Sequence, residues 1–169
     1  MSRTRLLLAT MLFSCATTVV AFAVQAAGPS GPQADVNLLT STIRANRKAL
    51  IEASLMLTDE QAGKFWPIYD RYQKEMAAVN DRIAALVEDY SAHFKDLSND
   101  KALQLTGDYL AAEADRLQVR RTYLAEFAKV LPGRTVARFY QIENKMDAVL
   151  RYDLASTIPV VDSIGGKAN

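Results

Sequence analysis

Between residues 34 and 156 apolar side chains return at alternating steps of three and four, and no run alternates apolar with polar residues as a half-buried strand would. That stretch holds only Gly63, Gly107, Gly133, Pro67 and Pro132 as breakers and is otherwise rich in alanine, leucine, arginine, lysine and glutamate, all good helix formers. The pattern predicts an all-α domain of four helices over residues 35–156. The first spans 35–54, with Asp35 as its cap and Val36, Leu39, Ile43 and Leu50 as its apolar stripe, interrupted at Asn46 or Arg47. The second spans 59–94 and carries Phe65, Ile68, Tyr72, Met76, Val79, Ile83, Leu86 and Tyr90 as a narrow coiled-coil seam. At 1.5 Å per residue it is roughly 54 Å long.

"KDLSND" supplies the next turn, with Ser98 or Asn99 capping a third helix that runs to residue 130. Its seam is read as Leu103, Leu110, Leu117, Leu124, Phe127 and Leu131, with Gly107 a point where the helix could break and Asp108 restart it. After "LPG" a fourth helix, 134–155, turns Val136, Phe139, Ile142, Met146, Val149 and Leu150 inward, and 157–169 forms an irregular tail. The short turn near Ser98 makes the second and third helices a long antiparallel hairpin with two shorter flanking helices. Those flanking helices reach only the open end of the hairpin, so a second copy is expected over the far half, giving a homodimer.

The helix start at "LTDEQAGKFWPIYDR" is more specific. Thr58 and Gln61 form a capping box, Asp59 and Glu60 favour the positive end of the helix dipole, and Leu57 packs beneath the cap as a staple. Pro67 is expected to kink the helix at the Gly63 carbonyl, with Gly63 leaving room for close packing. An offset of 74 residues aligns Leu57, Lys64, Phe65, Trp66, Ile68 and Arg71 with Leu131, Arg138, Phe139, Tyr140, Ile142 and Lys145. The match reads as two related helix-start units, or else as chance likeness of amphipathic helices.

Ahead of the helices, Arg3 and Arg5 precede an uncharged apolar run, 6–24, and the small residues Val24 and Ala26. This is the pattern of a signal peptide, 1–26, cleaved after Ala26, followed by a flexible linker, 27–34. Phe13 is too bulky for a lipobox at Cys15, and the chain stays apolar beyond it, which argues against lipidation. No membrane span is expected once the signal is removed, and the location expected is the periplasm. Losing Arg3 and Arg5 takes the basic side chains from 20 to 18, against 19 acidic, a net charge of −1 that argues against a nucleic-acid partner. The processed chain has no cysteine and is held together by packing alone.

Catalytic and cofactor signatures are absent from the sequence. The single histidine, His93, reads as a surface or structural residue and cannot furnish the paired Glu-x-x-His motifs of a di-iron bundle. Neither cysteine-and-histidine metal spacing, a glycine-rich phosphate loop nor a Gly-x-Ser-x-Gly elbow is found. No enzyme activity, cofactor or metal is expected.

"LTDEQ" behind an export signal, with a degenerate second copy, resembles the LTXXQ-motif family of Spy/CpxP-like periplasmic stress proteins. Leu57, Thr58 and Gln61 carry the first motif; in the second copy Pro132 stands for the threonine and Thr135 for the glutamine, so the capping box is lost there. The resemblance implies a cradle-shaped all-α dimer that binds unfolding proteins without ATP or signals envelope stress. Candidate client-binding residues are the basic clusters Arg116, Arg120 and Arg121 on the third helix and Arg44, Arg47 and Lys48 on the first, where charge speeds encounter and adjoining apolar area prolongs it. Their alternative is a solvated helix face. Trp66, Tyr69 and Tyr140 form either an exposed aromatic patch or core. The second functional reading is a regulatory adaptor that docks one partner, such as a membrane sensor domain, through a compact hot spot.

Overall fold

A computed structural model describes residues 32–161. The expected leader with Cys15, residues 27–31 of the linker and residues 162–169 of the tail lie outside the described residues. Four helices account for nearly all of the rest: α1, Pro32–Leu55; α2, Asp59–His93; α3, Asn99–Ala128; and α4, Gly133–Thr157, with a 3₁₀ turn at Phe94–Asp96. No strand occurs among the described residues, and the fold is all-α.

The start of α2 is built as its residue types require. The Thr58 hydroxyl accepts from the Gln61 amide at 3.3 Å, the Gln61 side chain accepts from the Thr58 amide at 3.1 Å, and Leu57 packs on the core. Of the two candidates for the α3 cap, Ser98 is the one used, accepting from Lys101 N. Met56, at φ 50, closes α1 in the left-handed conformation that commonly ends helices.

α2 and α3 form the expected antiparallel hairpin, cross-linked by Arg82 to Asp115 at 2.6 Å and by the Tyr123 hydroxyl donating to Glu75 at 2.7 Å. α1 lies antiparallel along α4, so that Ser54 meets Arg138, Arg47 meets Glu143 and Arg44 meets Asp153. The main core gathers where α2 and α4 begin. Phe65, Tyr72, Phe127 and Phe139 are all fully buried there. The two aligned segments place their paired rings alike: Phe65–Trp66 centroids are 5.0 Å apart at 67°, Phe139–Tyr140 centroids 5.1 Å apart at 67°, and Phe65 meets Phe139 edge-on at 5.4 Å. A smaller cluster, Val79, Ile83 and Ala112, lies farther along the hairpin.

α2 continues through Pro67, and the non-helical backbone inside a helix lies in α1 at Asn46 (φ −125, ψ 17), whose side chain donates to Thr42 O. Three expectations need correction. Nothing lies within 4 Å of where a Gly63 Cβ would sit, so Gly63 admits no close neighbour. α3 runs through Gly107 without a break.

The largest correction concerns which face of α3 is inward. Its buried residues are Leu105, Ala112, Arg116, Tyr123 and Phe127, whereas Leu103, Leu110, Leu117 and Leu124 are 73%, 62%, 50% and 49% exposed. Two residues turn a helix by about 200°, so the stripe through Leu103 and the stripe through Leu105 lie on nearly opposite sides. The far half of the hairpin is partly covered by the chain itself. α4 continues to Thr157, and the Tyr90 hydroxyl donates to Pro159 O at 2.7 Å.

Candidate interaction surface

Three of the six basic residues singled out above, Arg47, Arg116 and Arg120, work inside the bundle. Arg47 sends its fork from α1 into α4, donating through Nε to Glu143 at 3.2 Å and through Nη2 to Glu143 at 2.5 Å and Asp147 at 2.7 Å. Glu143 is fully buried and Asp147 nearly so. Burial pushes the Glu143 carboxyl up from the usual range, and the Arg47 guanidinium pulls it part of the way back. For Arg47, burial opposes the charge, but the two carboxylates outweigh it and hold the guanidinium charged. Arg120 stands 3.6 Å from the other Asp147 oxygen and lies over the Tyr140 ring, whose hydroxyl donates to Arg120 O at 2.8 Å. Burial raises that phenol to about 12.

The other predicted residues divide between packing and surface. Arg116 is 9% exposed, with Nη2 donating to Asn80 Oδ1 at 2.9 Å, so it is not presented to solvent. Lys48 pairs with Asp70 at 3.1 Å and lies 4.9 Å from the Trp66 ring centre. Arg44 is exposed and 3.5 Å from Asp153. Arg121 is exposed and has no partner among the described residues. Tyr69 is buried, and Trp66 and Tyr140 are half-buried against the aromatic core, so these three form core, not a separate surface patch. His93 is exposed, with Nδ1 2.9 Å from Asp89 Oδ1.

What remains open is the outer face of α3. Leu103, Leu110, Leu117 and Leu124 recur every seven residues and so lie in one shallow line about 32 Å long. Gly107, Ala111, Ala114, Ala125 and Ala128, all exposed, fill the spaces between and beside them, and Arg121 is the charge within the stripe. The helix is thus apolar on both faces: the inner one is used by α2, and the outer one has no occupant among the described residues. Sequence reasoning named these leucines but placed them inside. The available signal was a second seven-residue series, Leu105, Ala112 and Val119, on the same helix.

Among the described residues no helix is long and apolar enough to cross a membrane, and no group of three or more His, Cys, Asp or Glu side chains is placed to hold a metal ion. No protein-family model matches the chain, and neither does any curated protein or solved structure.

Proposed function

We propose that the protein is an exported polypeptide-binding protein, an ATP-independent chaperone or envelope-stress modulator of the LTXXQ type, and that it works through the outer face of α3. The observation that carries this reading is the line of four solvent-facing leucines on a helix whose other face is already packed. Contiguous exposed apolar area of this kind marks an interaction site in a folded chain. Leucines separated by small residues make a smooth strip that accepts unfolded segments of varied sequence, and Arg121 adds attraction for acidic ones. The supporting sequence features are the leader pattern of residues 1–26 and the Thr58–Gln61 cap.

The seven-residue spacing also favours a second reading for the same face. A second copy could pair its α3 with this one in a coiled coil, making the expected homodimer. A dimer that closed the stripe would leave the single-partner adaptor as the better function. The test is light scattering from an unrelated unfolding protein at equal molar ratio, without nucleotide, together with the mass in solution. The chaperone reading expects suppression of scattering, lost in the double variant Leu110→Glu/Leu117→Glu, which stays folded because both positions are half or more exposed. No suppression by the parent chain would discard it. A parent dimer that becomes a monomer in the double variant would assign the face to a second copy.

A further inference from the structure

A cavity of about 410 Å³ opens among the helices at the level of Asn80 and Leu150. Arg44, Arg47, Arg116 and Arg151 line it, against a single lining carboxylate, Asp147. The other acids of this region sit beside their own arginines: Glu113 3.6 Å from Arg116 and Arg151, Glu143 on Arg47 and Asp153 on Arg44. Two donors in the cavity wall are shut off from solvent with no acceptor, Arg116 Nε and Gln73 Nε2. Arg116 is nine-tenths buried, and its Nε is too far from Glu113, at 3.6 Å, for a hydrogen bond. Buried donors without acceptors are uncommon because nothing replaces the water they lose.

A second, apolar groove of about 290 Å³ adjoins the cavity and shares Arg151 and Leu154 with it. Its walls include Leu86, Leu97, Leu105 and Ile158. Both volumes are of the order of small-molecule sites, which run from about 300 to 1,000 Å³. The two spaces therefore present a wall of arginine side chains at one end and an apolar slot at the other.

We propose that this compound cavity binds a single-chain organic anion, a carboxylate or phosphate head on an apolar chain. The head lies between Arg44 and Arg151, whose side chains are 65% and 46% exposed, and the chain lies in the groove beyond Leu154.

Calorimetric titration of the full chain tests this, with octanoate and octyl phosphate as probes and acetate, inorganic phosphate and 1-octanol as controls. Saturable one-to-one binding of at least one probe is expected, with every control at least about tenfold weaker; the preferred probe identifies the head. Arg44→Gln should loosen that probe about tenfold, the effect of losing one charge-assisted hydrogen bond. Arg151→Gln, at a half-exposed position, should do so without risk to the fold. Octanol binding as well as the probes would reduce the site to an apolar slot. Acetate or phosphate binding as well would reduce it to a bare anion site. Heat from none of the five would leave a water-filled cavity, and unchanged affinity in both variants would place the ligand elsewhere; each outcome overturns the proposal.

Discussion

Arg47 and Glu143 show how one charged pair is held where packing alone would exclude it. A buried carboxylate is unfavourable unless its oxygens are hydrogen-bonded, and Arg47 reaches both of them while also holding Asp147. The pH dependence follows from burial. Because burial raises the folded pKa of Glu143 above its ordinary 4.5, its contribution is fully present below that value and is lost as pH rises through the folded one. The Glu143→Gln variant cannot titrate there. The parent's melting-temperature advantage over it should therefore be larger at pH 4 than at pH 7. Glu60 and Asp89 behave oppositely, since the hydrogen bonds from Lys64 and Lys101 lower their pKa values and their contribution is lost in acid. Both remain in the variant, so they cancel in the comparison, and a gap that shrank on acidification would refute the assignment. The pair was partly legible beforehand. Arg47 interrupts the α1 stripe, and Glu143 and Asp147 stand four apart beside Phe139, Met146 and Leu150 on the inward side of α4. Opposite charges on two stripes that must meet imply an internal pair, whereas the basic cluster Arg44, Arg47 and Lys48 looked like surface when α1 was read by itself.

Element by element, legibility tracked how many apolar stripes a helix carries. α2 has one dominant stripe, and its members from Phe65 to Ile83 are buried as read, with Leu86 and Tyr90 half-buried. α3 has two. The bulkier leucines suggested the wrong one because close approach to α2 is served by Ala112 and by hydrogen-bonded Arg116 and Tyr123, which look poor as core residues in isolation. Periodicity gives the angle between stripes but not which of them the neighbour covers. The glycines carry a related prediction. Gly63 and Gly107 are exposed, helical and free of any neighbour within 4 Å of an added Cβ. Gly63→Ala should therefore raise unfolding stability by about 0.5–1 kcal/mol in urea titration, the ordinary difference in helix propensity. A loss there would mean that the α2 start is more crowded than the structure has it. Gly107→Ala should gain similarly while the outer face of α3 is open, and gain less or lose stability if a partner helix packs tightly against Gly107.

For the whole molecule, the consequential feature is the uneven core. Phe65, Tyr72, Phe127 and Phe139 interlock at one end, each ring within 6.0 Å of at least one other. Beyond Ile83 the hairpin has half-buried Leu86, Val87, Tyr90, Phe94 and Leu97, the buried Leu105 and the small cluster around Ala112. Stability within a domain follows such local packing, and weakly packed ends open below the global unfolding free energy. Amides of α2 after Leu86 and of α3 before Thr106 should thus exchange faster than those near Phe65, Phe127 and Phe139. The comparison is native-state hydrogen exchange at low denaturant, where the far end should open in a separate step that hardly depends on denaturant. The ion pair of Lys101 with Asp89 and the Tyr90 bond to Pro159 tie that end together, so Lys101→Met should speed its exchange and leave the aromatic end unchanged. Uniform protection along α2 would instead mean that the hairpin unfolds as one unit, and that its packing is continued by contacts from beyond the described residues. The polarity also bears on function. Leu103 and Leu110 stand over the weakly packed end, whereas Leu117 and Leu124 stand over the approach to the aromatic core. A polypeptide bound along the outer face would therefore bridge a rigid and a yielding half, and the added protection it gives should appear mainly before Ala112.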